Sequence, residues 1–272
     1  MVETVPVATD DSMPVQWDPH LYNRFDRERA QPFFDLISRV SAQSPSKIVD
    51  LGCGTGSTTA ILAQRWPGAE VLGIDYSTEM LMEARAKPGI PANLRFEQLY
   101  IATWMPTAGV DVIVTNAALQ WVPGSAELMP IWFEAMAAGA WFAMQVPHSA
   151  QLPSHVLLNR LVRSQRWRYQ LGEDIRAGGQ VATPAEYLEL MLACGLDAQA
   201  WETEYLHVLS GSEPVLDWVR GTSLRPVIAK LGDEDSQIFE QQYSALLREA
   251  YPRSAFGTNY PFKRIFAVGQ KR

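Results

Sequence analysis

The sequence predicts an α/β protein built on a doubly wound, mostly parallel sheet, and two observations predict this fold class. Between residues 47 and 146, apolar runs of strand length alternate with segments of helical character. Such alternation is typical of parallel strands joined by right-handed helical crossovers. The stretch Asp50-Leu-Gly-Cys-Gly-Thr-Gly56 directly continues the first of these runs. Closely spaced glycines after a strand allow the backbone to turn sharply into a helix.

The elements of the first half follow from short apolar runs that end at turn residues. Residues 1–16 lack periodicity and predict a loose tail, and the core is expected from residue 17 to 150. The strands are predicted at 47–51, 69–74, 93–98, 110–115 and 140–146. The helices are predicted at about 26–40, 57–66, 78–87 and 126–137.

The alternation is lost in residues 151–272, which we expect to hold the rest of the core and a helical cap. Thr183, Pro184 and Glu186 mark a helix start, because they supply an N-cap hydroxyl, a first-turn proline and an early acid. Two more strands are predicted at 198–206 and 262–268, with a mostly helical segment between them. We expect the cap segments, at about 154–183 and 213–252, to cover the carboxyl edge of the sheet, where open α/β sheets bind ligands.

The composition of the chain limits its partners. Its 272 residues are 47% hydrophobic and 19% charged, which is enough to bury a core, and its net charge of −7 argues against nucleic acid. Cys53 and Cys194 lie far apart without metal-ligand spacing, so reduced thiols and no metal are expected. No apolar run has transmembrane length. We therefore expect a cytoplasmic protein without membrane contact, as a monomer or weak dimer.

The glycine stretch and the second strand together predict a nucleoside site. Gly52, Gly54 and Gly56 have the spacing G-x-G-x-G, which brings backbone N–H groups against a ligand. Asp75 follows at the tip of the second strand, where its carboxylate can accept two hydrogen bonds from a ribose diol. Asp50 precedes the turn and would either hold the turn's backbone or face a charged amino group.

The tip of strand four, Asn116-Ala-Ala-Leu-Gln-Trp121, faces the same edge. Asn116 or Gln120 would hydrogen-bond a cofactor, and Leu119 and Trp121 would wall the reacting centre. The alternative is that Trp121 belongs to the core.

These residues resemble the nucleoside-binding half of class I S-adenosylmethionine-dependent methyltransferases. The resemblance implies a Rossmann-like sheet of seven strands, S-adenosylmethionine as the cofactor, and S-adenosylhomocysteine as its product. Where the family usually places an acid after strand three, this chain has Tyr100, whose phenol would accept the same hydrogen bond or stack. Beside the residues already named, cofactor contacts are expected from Tyr76, Met80, Tyr100 and the backbone of Ile101.

The first helix has two interpretations. Tyr22, Phe25 and Arg29 lie at helical spacings and would share one face. That face would pack on the sheet, or it would form a lid from which Tyr22 or Arg29 reaches the methionine carboxylate of the cofactor.

Further motifs resemble bacterial trans-aconitate 2-methyltransferases from about residue 17 to the end of the chain. They are Trp17-Asp-Pro19-x-x-Tyr22-x-x-Phe25, Asp50-Leu-Gly-Cys-Gly-x-Gly56, Gln64-Arg-Trp-Pro67, Gly73-Ile-Asp75, Asn116-Ala-x-Leu-Gln-Trp121, Trp201-x-Thr203-x-Tyr205-x-His207, Asp217-Trp-Val219, Leu224-Arg-Pro226 and Pro261-Phe-x-Arg264-x-Phe266. The resemblance implies methyl transfer to a carboxylate of trans-aconitate, which gives a monomethyl ester. A carboxyl group with a pKa of about 4 is already a nucleophile at neutral pH, so no catalytic base is expected. Acceleration would come from in-line alignment and removal of water.

A polycarboxylate substrate needs its other charges paired while one oxygen reacts. Arg220, Arg225 and Arg264 are the candidates, because a planar guanidinium binds carboxylates through two hydrogen bonds. Alternatively, Arg220 and Arg225 are solvated residues on a helix surface and have no role in binding. The other candidate substrate contacts are Trp17, Tyr22, Gln120, Gln145, Tyr205, His207 and Tyr260, of which His207 could equally be structural. His148 has no assigned role.

Other functions remain open from the sequence alone. A methyltransferase of another small acid, such as a malonyl thioester or a secondary-metabolite carboxylate, would share the fold and differ in the cap. A methyltransferase-like protein that binds the cofactor without catalysis is favoured only by Tyr100. A nicotinamide-dependent reductase is the weaker alternative, since Ser57 and Thr58 crowd the turn.

Overall fold

A central sheet of eight strands organises the computed structural model, which describes residues 26–172 and 181–272, with residues 26–29 as backbone only. Five strands come from the first half of the chain: β1 (Lys47–Leu51), β2 (Glu70–Asp75), β3 (Leu94–Gln98), β4 (Val112–Asn116) and β5 (Trp141–Pro147). Three come from the second half: β6 (Leu196–Leu209), the two-residue β7 (Arg253–Ser254) and β8 (Gly257–Lys271).

The strand order is β3-β2-β1-β4-β5-β8-β6, with β7 paired to β8. The first five strands are parallel, and β8 enters antiparallel between β5 and β6. The chain therefore reverses its direction of winding at β1 and β4. In open α/β sheets, ligands bind at such a switch point, outside the carboxyl ends of the strands.

Helices cover both faces of this sheet. They are α1 (Asp26–Ile37), α2 (Ser57–Arg65), α3 (Thr78–Ala86), α4 (Ser125–Ala135) and, from the second half, α7 (Pro184–Ala193). One face packs under α1 and α2, with Phe33 and Leu62 fully buried there. The opposite face packs under α4 and α7, with Trp132 and Met191 fully buried. Thr183 caps α7 as predicted, because its side chain accepts from the Glu186 N–H while the Glu186 carboxylate accepts from the Thr183 N–H.

The remaining helices form a cap with its own apolar core. They are α5 (Pro153–Val162), α6 (Arg168–Leu171), α8 (Pro214–Arg220), α9 (Arg225–Ile228) and α10 (Asp233–Ala250). Trp167, Phe239 and Tyr243 are buried in this core, which also includes Trp218 and Tyr260. The cap is therefore a packed unit that continues into the long β8. Among the described residues, no helix has the length and apolar character needed to cross a membrane.

The doubly wound fold class is confirmed, but the sheet formed by the described residues has eight strands where seven were expected, because the two-residue β7 pairs with β8. The other differences from the predicted elements lie in the second half of the chain. Within the first cap segment the sequence predicts one helix at 154–168 and a loop at 172–183, whereas the structure has two helices there, α5 and α6. Strands β6 and β8 are longer than predicted, because they pair with each other from Leu196 opposite Lys271 to Leu209 opposite Thr258. The predicted N-terminal tail and most of the loop at 172–183 lie outside the described residues.

Candidate active site

A cavity of about 280 Å³ opens at the carboxyl edge of the sheet, between the strand ends and the cap. The predicted residues that line it are Gly52, Gly54, Asp75, Tyr76, Met80, Tyr100, Ile101, Asn116, Gln120, Trp121 and Arg264. Residues from α5, α8, the turn after α8 and β8 form its cap side. The cavity thus has a sheet side, formed by the ends of β1, β2 and β4, and a cap side.

The glycine turn between β1 and α2 adopts a backbone that side chains rarely permit. Gly52, Gly54 and Gly56 have φ of 80°, 53° and 73°, all in the left-handed region. A Cβ at Gly52 would lie 2.3 Å from the Ala118 Cβ, whereas a Cβ at Gly54 would meet nothing within 4 Å. Gly52 is therefore required for packing, and Gly54 leaves open space beside the cavity. Gly56 packs against Phe96 and does not line the cavity.

Asp75 ties the glycine turn to the tip of β2. Its Oδ2 accepts the Gly54 N–H at 2.9 Å, and its Oδ1 accepts the Ser77 N–H at 2.9 Å. Burial raises the pKa of Asp75, and the backbone N–H donors of Ser77, Gly54 and Tyr76 oppose that rise. Each carboxylate oxygen has capacity for a further hydrogen bond, so this group is suited to a diol.

Asp50 occupies a different environment from either of the two predicted for it. It is 1% exposed, does not line the cavity, and its Oδ2 accepts the Thr59 hydroxyl of α2 at 2.7 Å. Burial raises the pKa of Asp50 to about 7, while the Thr59 hydrogen bond lowers it and the charge of Asp75 raises it further. Asp50 therefore fastens the start of α2 to β1 beneath the turn.

Two aromatic side chains stand at the sheet-side rim of the cavity. Tyr76 and Tyr100 are 37% and 45% exposed, and their rings meet edge to face with centroids 6.5 Å apart. Met80, from the first turn of α3, and Ile101, which begins a short 3₁₀ turn, complete this rim. Tyr100 thus lies at the position where the family-type acid was expected, with its ring open to the cavity mouth.

The tip of β4 carries a strained residue. Ala117 has φ 55°, the left-handed region, and its carbonyl accepts from the Gln120 amide at 2.6 Å. The Asn116 Oδ1 and Gln120 Oε1 are buried and have no hydrogen-bond partner among the described residues. Backbone strain of this kind clusters at functional sites. Leu119 differs from its prediction, since it is 2% exposed in the core and does not line the cavity.

Arg264 supplies positive charge on the cap side. The side chain is 4% exposed, its Nη1 donates to Gln145 Oε1 at 3.1 Å, and its guanidinium carbon lies 4.9 Å from the centre of the Phe262 ring. Gln145 lies behind Arg264 and does not itself line the cavity. Strands β5 and β8 hold this pair in register, because Pro147 of β5 is opposite Arg264 of β8.

Several residues predicted to clamp the substrate have other contacts. Arg220 donates to both oxygens of Glu240, at 3.0 and 2.8 Å, and to Asp217 at 2.8 Å, so its guanidinium joins α8 to α10. The Tyr205 hydroxyl donates to Asp35 of α1 at 2.5 Å, and burial is the main cause that raises its pKa. Neither side chain lines the cavity.

The other predicted clamp residues lie behind the cavity wall or outside the described residues. The His207 ring stacks on Trp218 at 5.1 Å, and Tyr260 packs edge to face on the same indole at 5.5 Å, so both support a ring that does line the cavity. Arg225 is half-buried at the start of α9, three residues beyond the lining residue Thr222. Trp17, Tyr22 and the Arg29 side chain lie outside the described residues. His148 pairs with Glu202 at 2.5 Å and does not line the cavity.

Sequence reasoning missed several lining residues, among them Cys53, Pro147, Ser149, His155, Trp218, Thr222, Ser223 and Phe262. Trp218 and Phe262 lie inside motifs that indicated the family, so a signal for them existed. Ser149 follows β5 at the ligand edge, where position alone favours a contact. His155 and Ser223 sit in cap elements without a local pattern that points to a site.

The fold and the cavity define a methyltransferase domain of the doubly wound class. Residues 42–189 match a family model described as a methyltransferase domain. Two solved structures share the fold. A methyltransferase from Thiobacillus denitrificans in complex with S-adenosylhomocysteine has a TM-score of 0.54 at 17% identity, covering 94% of this chain and all of that one. The YcgJ protein of Bacillus subtilis has a TM-score of 0.57 at 16% identity, covering 89% and 98%.

Relatives in sequence identify the family. The trans-aconitate 2-methyltransferase of Streptomyces avermitilis is 46% identical over 94% of this chain and 97% of its own length. That of Mycobacterium tuberculosis is 42% identical over 93% and 96%. This chain belongs to the trans-aconitate 2-methyltransferase family, which confirms the resemblance indicated by its motifs.

Proposed function

We propose that this protein transfers a methyl group from S-adenosylmethionine to one carboxylate of a small polycarboxylic acid and releases the monomethyl ester. Trans-aconitate is the first candidate for the acid, because it is the substrate named for relatives that match nearly the whole chain. S-adenosylmethionine is the methyl donor that the glycine turn and Asp75 fit best.

The separation of charge in the cavity is the observation that carries this proposal. Among the described lining residues, Asp75 is the one carboxylate and Arg264 the one guanidinium. Asp75 lies at the glycine turn and Arg264 on the cap side, held by Gln145. A neutral diol with a cationic sulfur fits the acidic side, and an anion fits the basic side.

The sheet side has features that suit an adenosyl group. The open space beside Gly54 admits a ligand close to the backbone, and the Asp75 oxygens suit a ribose diol. Tyr76 and Tyr100, at the sheet-side rim of the cavity, offer aromatic faces on which the adenine base would pack. When bound, S-adenosylmethionine supplies a methyl group on a positively charged sulfur.

The residues of the chain need to position and desolvate the acid, since a carboxylate is already deprotonated at neutral pH. Arg264 orients it by charge-assisted hydrogen bonds. Apolar lining such as Trp218 and Phe262 excludes water from the bound acid. Charge disappears when an anion and a sulfonium combine, so a water-poor cavity favours the transition state over the separated ions.

A direct assay tests the proposal. The protein is incubated with methyl-labelled S-adenosylmethionine and a panel of di- and tricarboxylates, and esters are detected by mass. We expect one labelled methyl per acid molecule, with trans-aconitate among the best substrates. If only a different acid formed an ester, that acid would take the place of trans-aconitate as the substrate. If the protein bound S-adenosylhomocysteine in calorimetry but formed no ester, the proposed reaction would be overturned.

A further inference from the structure

Two buried polar side chains on the cap side of the cavity have no role in the assignments above. His155, on α5, is 5% exposed, and Ser223, in the turn between α8 and α9, is 4% exposed. Both line the cavity. The Ser223 hydroxyl has no hydrogen-bond partner among the described residues. A buried hydroxyl without a partner is unfavourable, so a ligand that accepts from Ser223 would satisfy it.

His155 is held in one orientation by a neighbouring hydroxyl. Its Nδ1 lies 3.1 Å from Ser154 Oγ, which lies 3.2 Å from the Tyr260 hydroxyl. The Ser154 backbone is also fixed, since its N–H donates to the Tyr251 hydroxyl at 3.0 Å and its carbonyl accepts from Tyr243 at 2.8 Å. With Nδ1 engaged in this network, Nε2 is the nitrogen left to meet a ligand.

The His155 ring is suited to donate a hydrogen bond as a neutral group. Burial lowers the pKa of His155 to about 4, so the ring is uncharged at neutral pH and carries one N–H. In the tautomer whose Nδ1 accepts a hydrogen bond from the Ser154 hydroxyl, that N–H lies on Nε2. The ring would then add a hydrogen bond to an anion without adding charge to the cavity.

Aromatic packing joins these two residues to the arginine of the same wall. The Arg264 guanidinium lies over Phe262, whose ring lies 5.6 Å from that of Trp218. Trp218 in turn packs on Tyr260, the partner of Ser154, and belongs to the helix that leads into Ser223. One buried wall therefore carries a guanidinium, a hydroxyl and an imidazole.

We propose that His155 and Ser223 are substrate-binding residues that, beside Arg264, hold a carboxylate of the acid that does not receive the methyl group. This assignment rests on the proposed function and specifies its substrate side. A carboxylate accepts several hydrogen bonds, more than one guanidinium edge supplies, so neutral donors complete its coordination. The reacting carboxylate then lies nearer the sheet side, where the methyl donor is expected.

Substrates that lack one carboxyl group test this subsite. The ratio of kcat/KM for trans-aconitate to that for each of three dicarboxylates, mesaconate, glutaconate and itaconate, each of which lacks a different carboxyl group, is measured in the wild type and in Ser223→Ala, His155→Phe and His155→Gln. We expect the first two variants to lose roughly 10- to 100-fold in kcat/KM for trans-aconitate. For the dicarboxylate that lacks the held carboxylate, kcat/KM should fall much less. His155→Gln should recover part of the loss, because the glutamine amide can also donate a hydrogen bond.

Matched controls separate this effect from damage to the fold. The exposed Ser41→Ala should behave as the wild type, and S-adenosylhomocysteine should bind all variants with similar affinity. Equal losses with all four acids, or no loss with any, would overturn the subsite while the reaction stands. A wild type that forms no ester from any acid would overturn the proposed function, and this subsite with it.

Discussion

Two aspartates near the glycine turn have different tasks because their surroundings differ. Asp75 accepts two backbone N–H groups and faces the cavity, whereas Asp50 accepts one hydroxyl and is sealed beneath the turn. A buried carboxylate with a single neutral donor is poorly compensated for lost hydration. Asp50 therefore lowers the stability of the folded protein when it is charged, and its contribution depends on pH.

The variant Asp50→Asn should remove this pH dependence. The folded-state pKa of Asp50 is raised by burial from 3.8 to about 7, so the folded protein retains a proton that the unfolded chain has lost. Stability supplied by the protonated form is complete below pH 4 and is lost as pH rises through 7. One pKa unit corresponds to about 1.4 kcal/mol, so the loss amounts to a few kcal/mol at most.

Urea unfolding of wild type and variant at pH 5, 6, 7 and 8 measures the effect. Asparagine keeps an acceptor for Thr59, so the variant should gain stability relative to the wild type as pH rises and level off above about pH 7. Because the two proteins share all other titrating groups, the difference between their free energies of unfolding isolates the titration of Asp50. A difference that stays constant over this range would contradict a raised pKa for Asp50.

The turn between β1 and α2 contains glycines with separable roles. In Gly52→Ala the new Cβ would lie 2.3 Å from Ala118, and φ is 80°, so overpacking and strain combine to cost roughly 2–5 kcal/mol of stability. In Gly54→Ala only the φ of 53° is unfavourable, which costs about 1–2 kcal/mol. The open side of Gly54 is where we expect the methyl donor, so this variant should bind S-adenosylhomocysteine much more weakly.

Gly68→Ala is the matched control for both, since its Cβ would meet nothing within 4 Å and its φ is not in the left-handed region. Its stability should change by less than about 1 kcal/mol and its affinity for S-adenosylhomocysteine should not change. Thermal unfolding and calorimetry give the two measurements. Wild-type binding by a folded Gly54→Ala would show that the ligand does not approach the turn.

Arg220 joins two helices of the cap, so its removal should affect stability before catalysis. Arg220→Met breaks the bidentate pair with Glu240 and the contact with Asp217. Because these side chains are partly exposed, solvent screens the pairs and the loss should be about 1 kcal/mol, or a Tm lower by about 2–4 °C. KM for the acid should stay within threefold of wild type, as in the exposed control Arg95→Met. A large rise in KM at unchanged Tm would restore Arg220 to the substrate site.

The elements that local patterns predict well are those whose contacts are local. The strands β1 to β5 alternate with helices in a short stretch, and apolar runs with turn residues mark their ends. The extent of β6 and β8 depends on their pairing with each other, between residues that are 49 apart in sequence at Leu209 and Thr258 and 75 apart at Leu196 and Lys271. No local pattern records such a pairing, and this is why both strands were predicted too short.

The same distinction applies to the site across the whole molecule. The sheet side of the cavity follows from a glycine spacing and an acid at a strand tip, so Gly54 and Asp75 were found from sequence. The cap side is assembled from α5, the turn after α8 and β8, which meet only in the folded protein. His155 and Ser223 were missed for this reason, and Arg220 was mistaken for a cavity residue because its partners, Asp217 and Glu240, lie on two helices.

The net charge of −7 requires that an anionic substrate be attracted locally and not by the whole surface. The cavity meets this requirement, because among the described lining residues its guanidinium, Arg264, lies on the cap side and its carboxylate, Asp75, lies on the sheet side. The two sides come from separate parts of the chain, joined through β8. Each should therefore recognise its own ligand with little dependence on the other.

This separation predicts a crossed pattern of effects. Asp75→Ala should weaken binding of S-adenosylhomocysteine by roughly 10- to 100-fold and leave KM for the acid near the wild-type value, since hydrogen bonds to a charged group contribute about 1.5–3 kcal/mol. Arg264→Met should raise KM for the acid by a similar factor and leave S-adenosylhomocysteine binding nearly unchanged. Calorimetry and steady-state kinetics on both variants supply the four values. Independent acidic and basic sides require that each variant weaken the binding of one ligand only. If each variant instead weakened the binding of S-adenosylhomocysteine and of the acid equally, the cavity would act as one undivided site.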